Sequence, residues 1–184
     1  MNQIALKEAP GLPAAGLARD DRQHLTFMLG QETFAIGILA IKEIIEYGQL
    51  TTVPMMPPFI RGVINLRGAV VPVVDLAVRF ASAPTEVTRR TCIIIIEFQA
   101  DGETQVAGVV VDAVNEVLEI PAADILPPPA FGARIRAEFI KGMGKVQDKF
   151  VIILDVDKVL SDDDLELLEQ AAMARTESSV QAEN

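Results

Sequence analysis

Residues 57–76 read PPFIRGVINLRGAVVPVVDL, a pattern that predicts a strand, a tight glycine turn and a second strand. The stretch returns in altered form later in the chain. Phe59–Gly62 (FIRG) is echoed by Phe139–Gly142 (FIKG), and Val73–Leu76 (VVDL) is echoed by Ile153–Val156 (ILDV). Both pairs have the same offset in numbering, because 142 minus 62 and 155 minus 75 both give 80. A match without gaps over the whole hairpin indicates a duplicated unit.

A second constant offset in residue number relates the strands outside this hairpin. Glu116 repeats Glu43, and Pro127 repeats Pro54, because 116 minus 43 and 127 minus 54 both give 73. The step from 73 to 80 implies a seven-residue insertion, which we place in the loop 128–137 because loops tolerate insertions. Each half then supplies about five short strands.

This pattern predicts an all-β fold with minor helix, built as two small closed barrels. Short strands with frequent turns favour barrels, which leave no exposed sheet edge. We expect a first lobe at about 22–85 and a second at about 86–160. A lobe of under about 80 residues buries little apolar surface by itself, so the two lobes should share a hydrophobic core.

The segments outside the lobes have a different composition. Residues 1–21 are predicted to form a flexible arm and 175–184 a flexible tail. Ser161 is a good N-cap, and the three aspartates that follow place negative charge on a first helical turn. Leucines at helical spacing then predict a C-terminal helix at about 162–174, packed back on one lobe.

The composition excludes several classes of function. The chain has 184 residues and a formal charge of −10, and such a field repels nucleic acid and anionic membranes. A small-barrel RNA binder would need a Lys/Arg stripe with aromatic residues, which we do not find. No apolar run approaches the roughly 20 residues that span a bilayer, and the start lacks a signal-peptide pattern. We expect a cytoplasmic protein with no nucleic acid partner and no direct membrane insertion.

The sequence offers little from which to build a catalytic or metal site. His24 is the only histidine, and we predict a solvated residue at a strand edge. Cys92 lies in an apolar run, where a buried small hydrophobe is the better interpretation than a nucleophile. No phosphate-binding glycine loop is present. We expect no catalytic residue, no metal and no cofactor.

Three aspartates, Asp75, Asp112 and Asp155, end apolar strands. The interpretation that we favour is that each accepts hydrogen bonds at a strand end or in a turn. An enzyme that uses Asp75 and Asp155 is the alternative. It requires the two repeat-equivalent carboxylates to lie within about 10 Å of each other across a cleft.

A surface patch in the first half is the remaining candidate site. Arg67 stands just before the turn glycine, and Glu43 lies in an early strand rich in aliphatic residues such as Ile41. An apolar centre with a charged rim and an arginine is typical of protein recognition. A structural ion pair that braces the barrel is an equally open interpretation, and both can hold. The second copy has Gln147 at the position of Arg67.

Several motifs together resemble the CheW family of chemotaxis coupling proteins. The resemblance covers about residues 22–174 in order. The motifs that carry it are, in chain order, Phe27–Gly30, Phe34–Ile36, Lys42–Ile44, Gly62–Gly68, Val71–Leu76 and Gly108–Val117.

The resemblance implies two SH3-like five-stranded β-barrel subdomains around a shared core, and an adaptor without catalytic activity. Such proteins link the cytoplasmic tip of a methyl-accepting chemoreceptor to the regulatory domain of the histidine kinase CheA, in membrane-associated receptor arrays. The motility output is not implied. The matching positions for receptor or partner binding are Ile41, Glu43, Gly62, Arg67, Val114 and Val117. In the family the glutamate and arginine can pair, and the glycine lets backbone approach closely.

Overall fold

The computed structural model describes residues 21–128 and 135–160. The predicted arm (apart from residue 21), the helix at 162–174, the tail and most of the predicted insertion lie outside these ranges. The described strands are β1 Gln23–Leu29, β2 Glu32–Gly37, β3 Ile41–Glu46, β4 Ile60–Leu66, β5 Ala69–Asp75, β6 Cys92–Ala100, β7 Glu103–Val111, β8 Ala113–Glu119, β9 Ile125–Leu126, β10 Ile140–Val146 and β11 Lys149–Leu154. The helices are α1 Leu76–Arg79 and α2 Val156–Leu160, with short 3-10 turns at Ile38–Ala40, Ala122–Asp124 and Ala137–Phe139. The prediction of an all-β fold with minor helix is confirmed.

The strands form two sheets, and each sheet combines strands from both halves of the chain. Sheet I has the order β3-β6-β7-β5-β4, and sheet II has the order β8-β1-β2-β11-β10-β9. Most neighbours are antiparallel, but β5 pairs with β7 and β11 pairs with β2 in parallel. The predicted lobes at 22–85 and 86–160 therefore divide the repeats along the chain, whereas the sheets exchange strands across that boundary.

The exchange is reciprocal and follows the duplication. In sheet II, Ala35 of β2 pairs with Ile153 of β11, and in sheet I, Gly108 of β7 pairs with Val73 of β5. Gly108 is the repeat equivalent of Ala35, because 108 minus 35 gives 73. Ile153 is likewise the repeat equivalent of Val73, because 153 minus 73 gives 80. These are the two offsets in the sequence, so the strand pairing confirms the predicted duplication.

Both sheets consist of five long strands and one short edge segment. In sheet II, Leu126 of the two-residue strand β9 pairs with Met143 of β10. In sheet I, Thr51 forms an isolated bridge to Val63, the repeat equivalent of Met143. The two sheets are thus consistent with the two SH3-like five-stranded subdomains that were predicted.

A hydrophobic core shared by the two sheets holds them together. Phe27 stacks on Phe34 with ring centroids 6.0 Å apart, and Phe34 stacks on Phe80 at 5.8 Å. Phe80 contacts Phe139 at 6.0 Å, so the aromatic row runs from the first half of the chain into the second. Burial of each such side chain contributes about 1.5–3 kcal/mol. The predicted shared hydrophobic core is confirmed.

Each sheet also has a smaller core of its own. Ala35, Ile120, Val151 and Ile153 form one cluster in sheet II. In sheet I the corresponding cluster contains Val73, Ile93, Ile95 and Val110. Gly108 allows this second cluster to close, because a Cβ there would lie 2.7 Å from Cγ2 of Ile93.

Gly62 brings two backbone segments into close contact at the outer strand of sheet I. Its φ is +150°, and a Cβ at this position would collide with the carbonyl oxygen of Thr51. Thr51 exchanges two backbone hydrogen bonds with Val63, of 2.9 and 2.8 Å. The expectation that this glycine permits close backbone approach is confirmed.

Asp75 is a buried carboxylate whose hydrogen bonds are supplied by the chain itself. It accepts hydrogen bonds from the backbone N–H of Ala77 at 3.1 Å and from the N–H and hydroxyl of Thr85 at 3.0 and 2.9 Å. Arg61 Nε adds an ion pair at 3.1 Å. Asp112 and Asp155 likewise accept backbone N–H groups, those of Gly30 and Lys158. The structural interpretation of the three aspartates is confirmed.

The prediction of a solvated, edge-located His24 is wrong. The side chain is buried, because β1 lies between β2 and β8 in sheet II. Nδ1 donates a hydrogen bond to the carbonyl of Arg22 at 2.9 Å. Burial is the main reason why the pKa of His24 lies below its usual value.

Cys92 is only partly buried, whereas the sequence predicted a buried residue. It is the first residue of β6, so its side chain lies at the end of the strand and not within the apolar run. Burial, followed by the nearby charge of Glu46, raises the pKa of the Cys92 thiol. A raised thiol pKa disfavours the reactive thiolate, as expected for a residue that is not a nucleophile.

Replacement of Gly62 by alanine should lower the free energy of unfolding by about 2–4 kcal/mol, because it adds a backbone clash to a strained φ. Gly68→Ala is the matched control: its φ is +88°, but a Cβ would meet no atom within 4 Å. The control should cost about 1–2 kcal/mol, from strain alone. Urea unfolding measures both variants, and equal losses would contradict the contact with Thr51.

Asp75→Asn should lower the free energy of unfolding by about 1–3 kcal/mol, because it leaves the partly buried Arg61 without its counter-charge. Asp101→Asn, in an exposed turn, is the control and should stay within about 0.5 kcal/mol of the wild type. An unchanged stability for Asp75→Asn would argue against the structural role of the carboxylate.

Protonation of His24 should destabilise the fold at mildly acidic pH. The folded pKa is depressed, so the unfolded imidazole, with a pKa near 6.5, binds the proton more tightly. The stabilising contribution is fully present above about pH 6.5 and is lost as the pH falls through the folded pKa. The free energy of unfolding, measured from pH 7.5 to 5, should fall more steeply in the wild type than in His24→Asn. Parallel curves would contradict this assignment.

Candidate protein-interaction surface

β3 and β8 are equivalent strands of the two repeats. Each lies at one edge of its sheet, where the shared core reaches the surface. In the part of the chain that the structure describes, β3 is the last strand of sheet I and β8 is the last strand of sheet II. Ile41 and Ile44 of β3, and Val114 and Val117 of β8, are partly buried and pack against the same shared core. Half-buried aliphatic side chains on two edge strands provide apolar area for a partner.

Arg67 and Glu43 form an ion pair beside these aliphatic residues. Arg67 Nη2 lies 3.0 Å from Glu43 Oε2, and the Arg67 side chain is 78% exposed against 26% for Glu43. An ion pair with this exposure contributes about 0–1 kcal/mol. It is therefore too weak to be the main brace of the sheet, and its guanidinium is open to a partner.

The turn between β4 and β5 positions Arg67. Leu66 pairs with Ala69, which leaves a two-residue loop, and both loop residues have positive φ, 53° at Arg67 and 88° at Gly68. This is the backbone of a turn that matches the twist of a hairpin. Asn65 Oδ1 accepts the N–H of Gly68 at 2.9 Å and so fixes the loop. Gln147 has a similar backbone conformation, with φ of 48°, so the repeat-equivalent positions 67 and 147 differ mainly in their side chains.

Glu43 has one carboxylate oxygen that the described residues leave without a partner. Oε2 binds Arg67, but Oε1 is buried and accepts no hydrogen bond. An unsatisfied buried acceptor costs about 1–3 kcal/mol. Residue 42 is a bulge in the pairing of β3 with β6, and bulges redirect side chains. The site thus contains a buried acceptor to which the described residues donate no hydrogen bond.

The structure brings the predicted site residues together only in part. It joins Glu43 to Arg67 and places Ile41 next to them on β3, while Val114 and Val117 lie on the equivalent strand of the other sheet. The geometry of Gly62 is explained by its contact with Thr51.

Leu39 is an apolar surface residue that sequence reasoning missed. It lies in the 3-10 turn directly before β3 and is 62% exposed. A leucine in a short connection between strands was the available signal, but periodicity does not predict which loop side chains are exposed.

The features of this surface are those of a binding surface. No group of three or more His, Cys, Asp or Glu side chains in residues 21–128 and 135–160 could hold a metal ion. Across the same residues, no helix is long and apolar enough to cross a membrane. What the surface offers is aliphatic area and an exposed guanidinium.

Comparison with known proteins agrees with this picture. Residues 23–164 match the CheW-like domain family. The chemotaxis protein CheW of Klebsiella aerogenes is 37% identical over 82% of this chain and 89% of its own length. The protein FrzA of Myxococcus xanthus is 35% identical over 73% of this chain and 81% of its own length.

A solved structure shows the same fold. The scaffolding protein TtCheW from Thermoanaerobacter tengcongensis superposes with a TM-score of 0.70 at 34% identity, over 78% of this chain and 95% of that one. Together with the duplicated, strand-exchanged sheets, these matches confirm the resemblance seen in the motifs. The chain belongs to the CheW family.

Proposed function

We propose that this protein is a non-catalytic adaptor that couples methyl-accepting chemoreceptors to a CheA-type histidine kinase. Membership of the CheW family is the observation that carries the proposal, and the likeness to a scaffolding protein supports it. The binding surface on β3 and β8 is consistent with this role. The proposal places the protein in the cytoplasm, recruited to receptor arrays, and applies equally to swimming, twitching or other outputs.

The receptor tip is proposed to bind between the two edge strands. Ile41 from sheet I and Val114 and Val117 from sheet II would contact the apolar face of a receptor helix, as in other helix-in-groove complexes. Glu43 and Arg67 would form the polar rim.

Gly62 has an indirect part in this proposal. Its contact with Thr51 shapes the strand that leads into the turn with Arg67. We therefore assign it the positioning of the hairpin rather than a contact with the receptor.

Coupling follows from differential binding. An adaptor that binds two partners changes the kinase only when its affinity differs between receptor conformations. The enzyme alternative receives no support, because hydrogen bonds within the chain engage both Asp75 and Asp155. The direct test is binding of the purified protein to a CheA regulatory domain. Absence of binding at tens of micromolar would refute the adaptor role.

Arg67→Ala should weaken receptor coupling while the fold stays intact. Loss of an exposed ion pair should change the free energy of unfolding by no more than about 1 kcal/mol. Receptor-dependent kinase activation should fall markedly, whereas affinity for the kinase domain should stay unchanged. Arg136→Ala is the matched control, because Arg136 is also an exposed partner in a surface ion pair, with Glu138.

The charge-swapped pair separates recognition from bracing. Glu43→Arg combined with Arg67→Glu restores an ion pair between the two positions but reverses the charges offered to a partner. Under the proposal, the double variant folds normally and remains defective in coupling. Recovery of coupling in the double variant would show that the pair acts only as a brace.

A further inference from the structure

The turn that presents Arg67 has a backbone that arginine rarely adopts. Arg67 has a φ of 53°, in the left-handed region that favours glycine, asparagine and aspartate. Two-residue hairpin turns with positive φ at both positions usually carry Asn-Gly or Asp-Gly, so an arginine at the first position is locally unfavourable. Contacts from outside the residue must therefore hold Arg67 in this conformation.

Asn65 supplies such a contact. Its Oδ1 accepts a hydrogen bond of 2.9 Å from the N–H of Gly68, and this N–H belongs to the peptide unit that joins Arg67 to Gly68. The bond closes a ring of chain from residue 65 to residue 68, and Arg67 lies within that ring. Because the bond fixes the orientation of the peptide unit that follows Arg67, it restricts the backbone from which the guanidinium projects.

The second copy of the hairpin forms a similar turn without this bond. Its loop residues, Gln147 and Asp148, also have positive φ, of 48° and 65°. The repeat equivalent of Asn65 is Lys145, whose ammonium has no acceptor atom and cannot replace the amide oxygen. Asn65 is therefore not required for such a turn to form. The first copy differs in combining this asparagine with an arginine two residues later.

The ion pair with Glu43 does not fix Arg67 by itself. The Arg67 side chain is 78% exposed, and an exposed pair of this kind is weak. A long side chain that is mobile before binding loses rotamer freedom when a partner orders it, and this loss lowers affinity. A bond that holds the backbone of Arg67 in advance therefore strengthens the contact that its guanidinium makes with a partner.

We propose that Asn65 is a positioning residue of the partner-binding surface, whose amide oxygen holds the turn so that Arg67 is preorganised for the receptor. The inference rests on the proposed function, and it assigns to Asn65 no contact with the receptor. Loss of the acceptor should weaken receptor binding by about 2- to 10-fold, the equivalent of one net hydrogen bond. The whole effect should pass through Arg67.

A double-mutant cycle tests this pathway. The affinity for a soluble chemoreceptor fragment that contains the cytoplasmic tip is measured for the wild type, Asn65→Ala, Arg67→Ala and the double variant. Asn65→Ala should weaken binding in the wild-type background but not when residue 67 is already alanine. Equal weakening in the two backgrounds, or no weakening in either, would overturn the proposal.

Two further variants separate positioning from a general effect on the hairpin. Asn65→Asp keeps a side-chain acceptor and should retain most of the receptor affinity. Lys145→Ala, at the equivalent position of the second copy, is the matched control and should leave receptor affinity unchanged. A loss in Asn65→Asp as large as that in Asn65→Ala would contradict the role of the acceptor.

NMR of the free protein measures the positioning without a receptor. Asn65→Ala should speed the exchange of the Gly68 amide with solvent and increase the mobility of the Arg67 Nε–H group, whereas the amide of Gln147 should not change. Unchanged mobility of Arg67 would overturn the proposal. An Arg67→Ala variant with unchanged receptor affinity would instead refute the proposed function, while the NMR result still decides whether Asn65 positions Arg67.

Discussion

The two parallel strand pairs, β2 with β11 and β5 with β7, are the constraint on which the rest of this structure depends. Each pair joins a strand from one half of the chain to a hairpin from the other, so neither half can complete a sheet without its partner. The exchange also aligns the aromatic row from Phe27 to Phe139 that forms the shared core. The apolar edges at β3 and β8 exist because that core extends to the last strand of each sheet.

Two carboxylates, Asp75 and Glu43, differ in how completely the chain satisfies their oxygens. Asp75 is fully buried, and its hydrogen bonds come from within the chain, which is the condition under which a buried charge is tolerated. Glu43 lies nearer the surface and has one oxygen satisfied and one not. The first arrangement stabilises a single conformation. The second leaves one oxygen without a hydrogen bond from the described residues.

Local patterns predicted the features that depend on neighbouring residues. The hairpin turn with Arg67, its counterpart at Gln147 and the structural role of Asp75 follow from residue types at short spacing. The repeat offsets follow from comparison of one half of the sequence with the other. The exchange of strands could not be predicted in this way, because Ala35 and its partner Ile153 lie near opposite ends of the chain. Distance along the chain also explains why the burial of His24 was not predicted, because that burial depends on pairing with β8. Glu43, with its unpaired oxygen, directly follows a bulge that no sequence period reveals.

The parallel pairing of β2 with β11 has a consequence for biosynthesis. At about 5–20 residues per second, a ribosome needs roughly 6–24 s to make the chain that separates Ala35 from Ile153. Over that interval the hairpin of β1 and β2 lacks the strand that later covers β2, and open strand edges favour aggregation. Contacts so distant in sequence also slow folding. Nascent chains of this protein should therefore depend on chaperones until β11 has emerged.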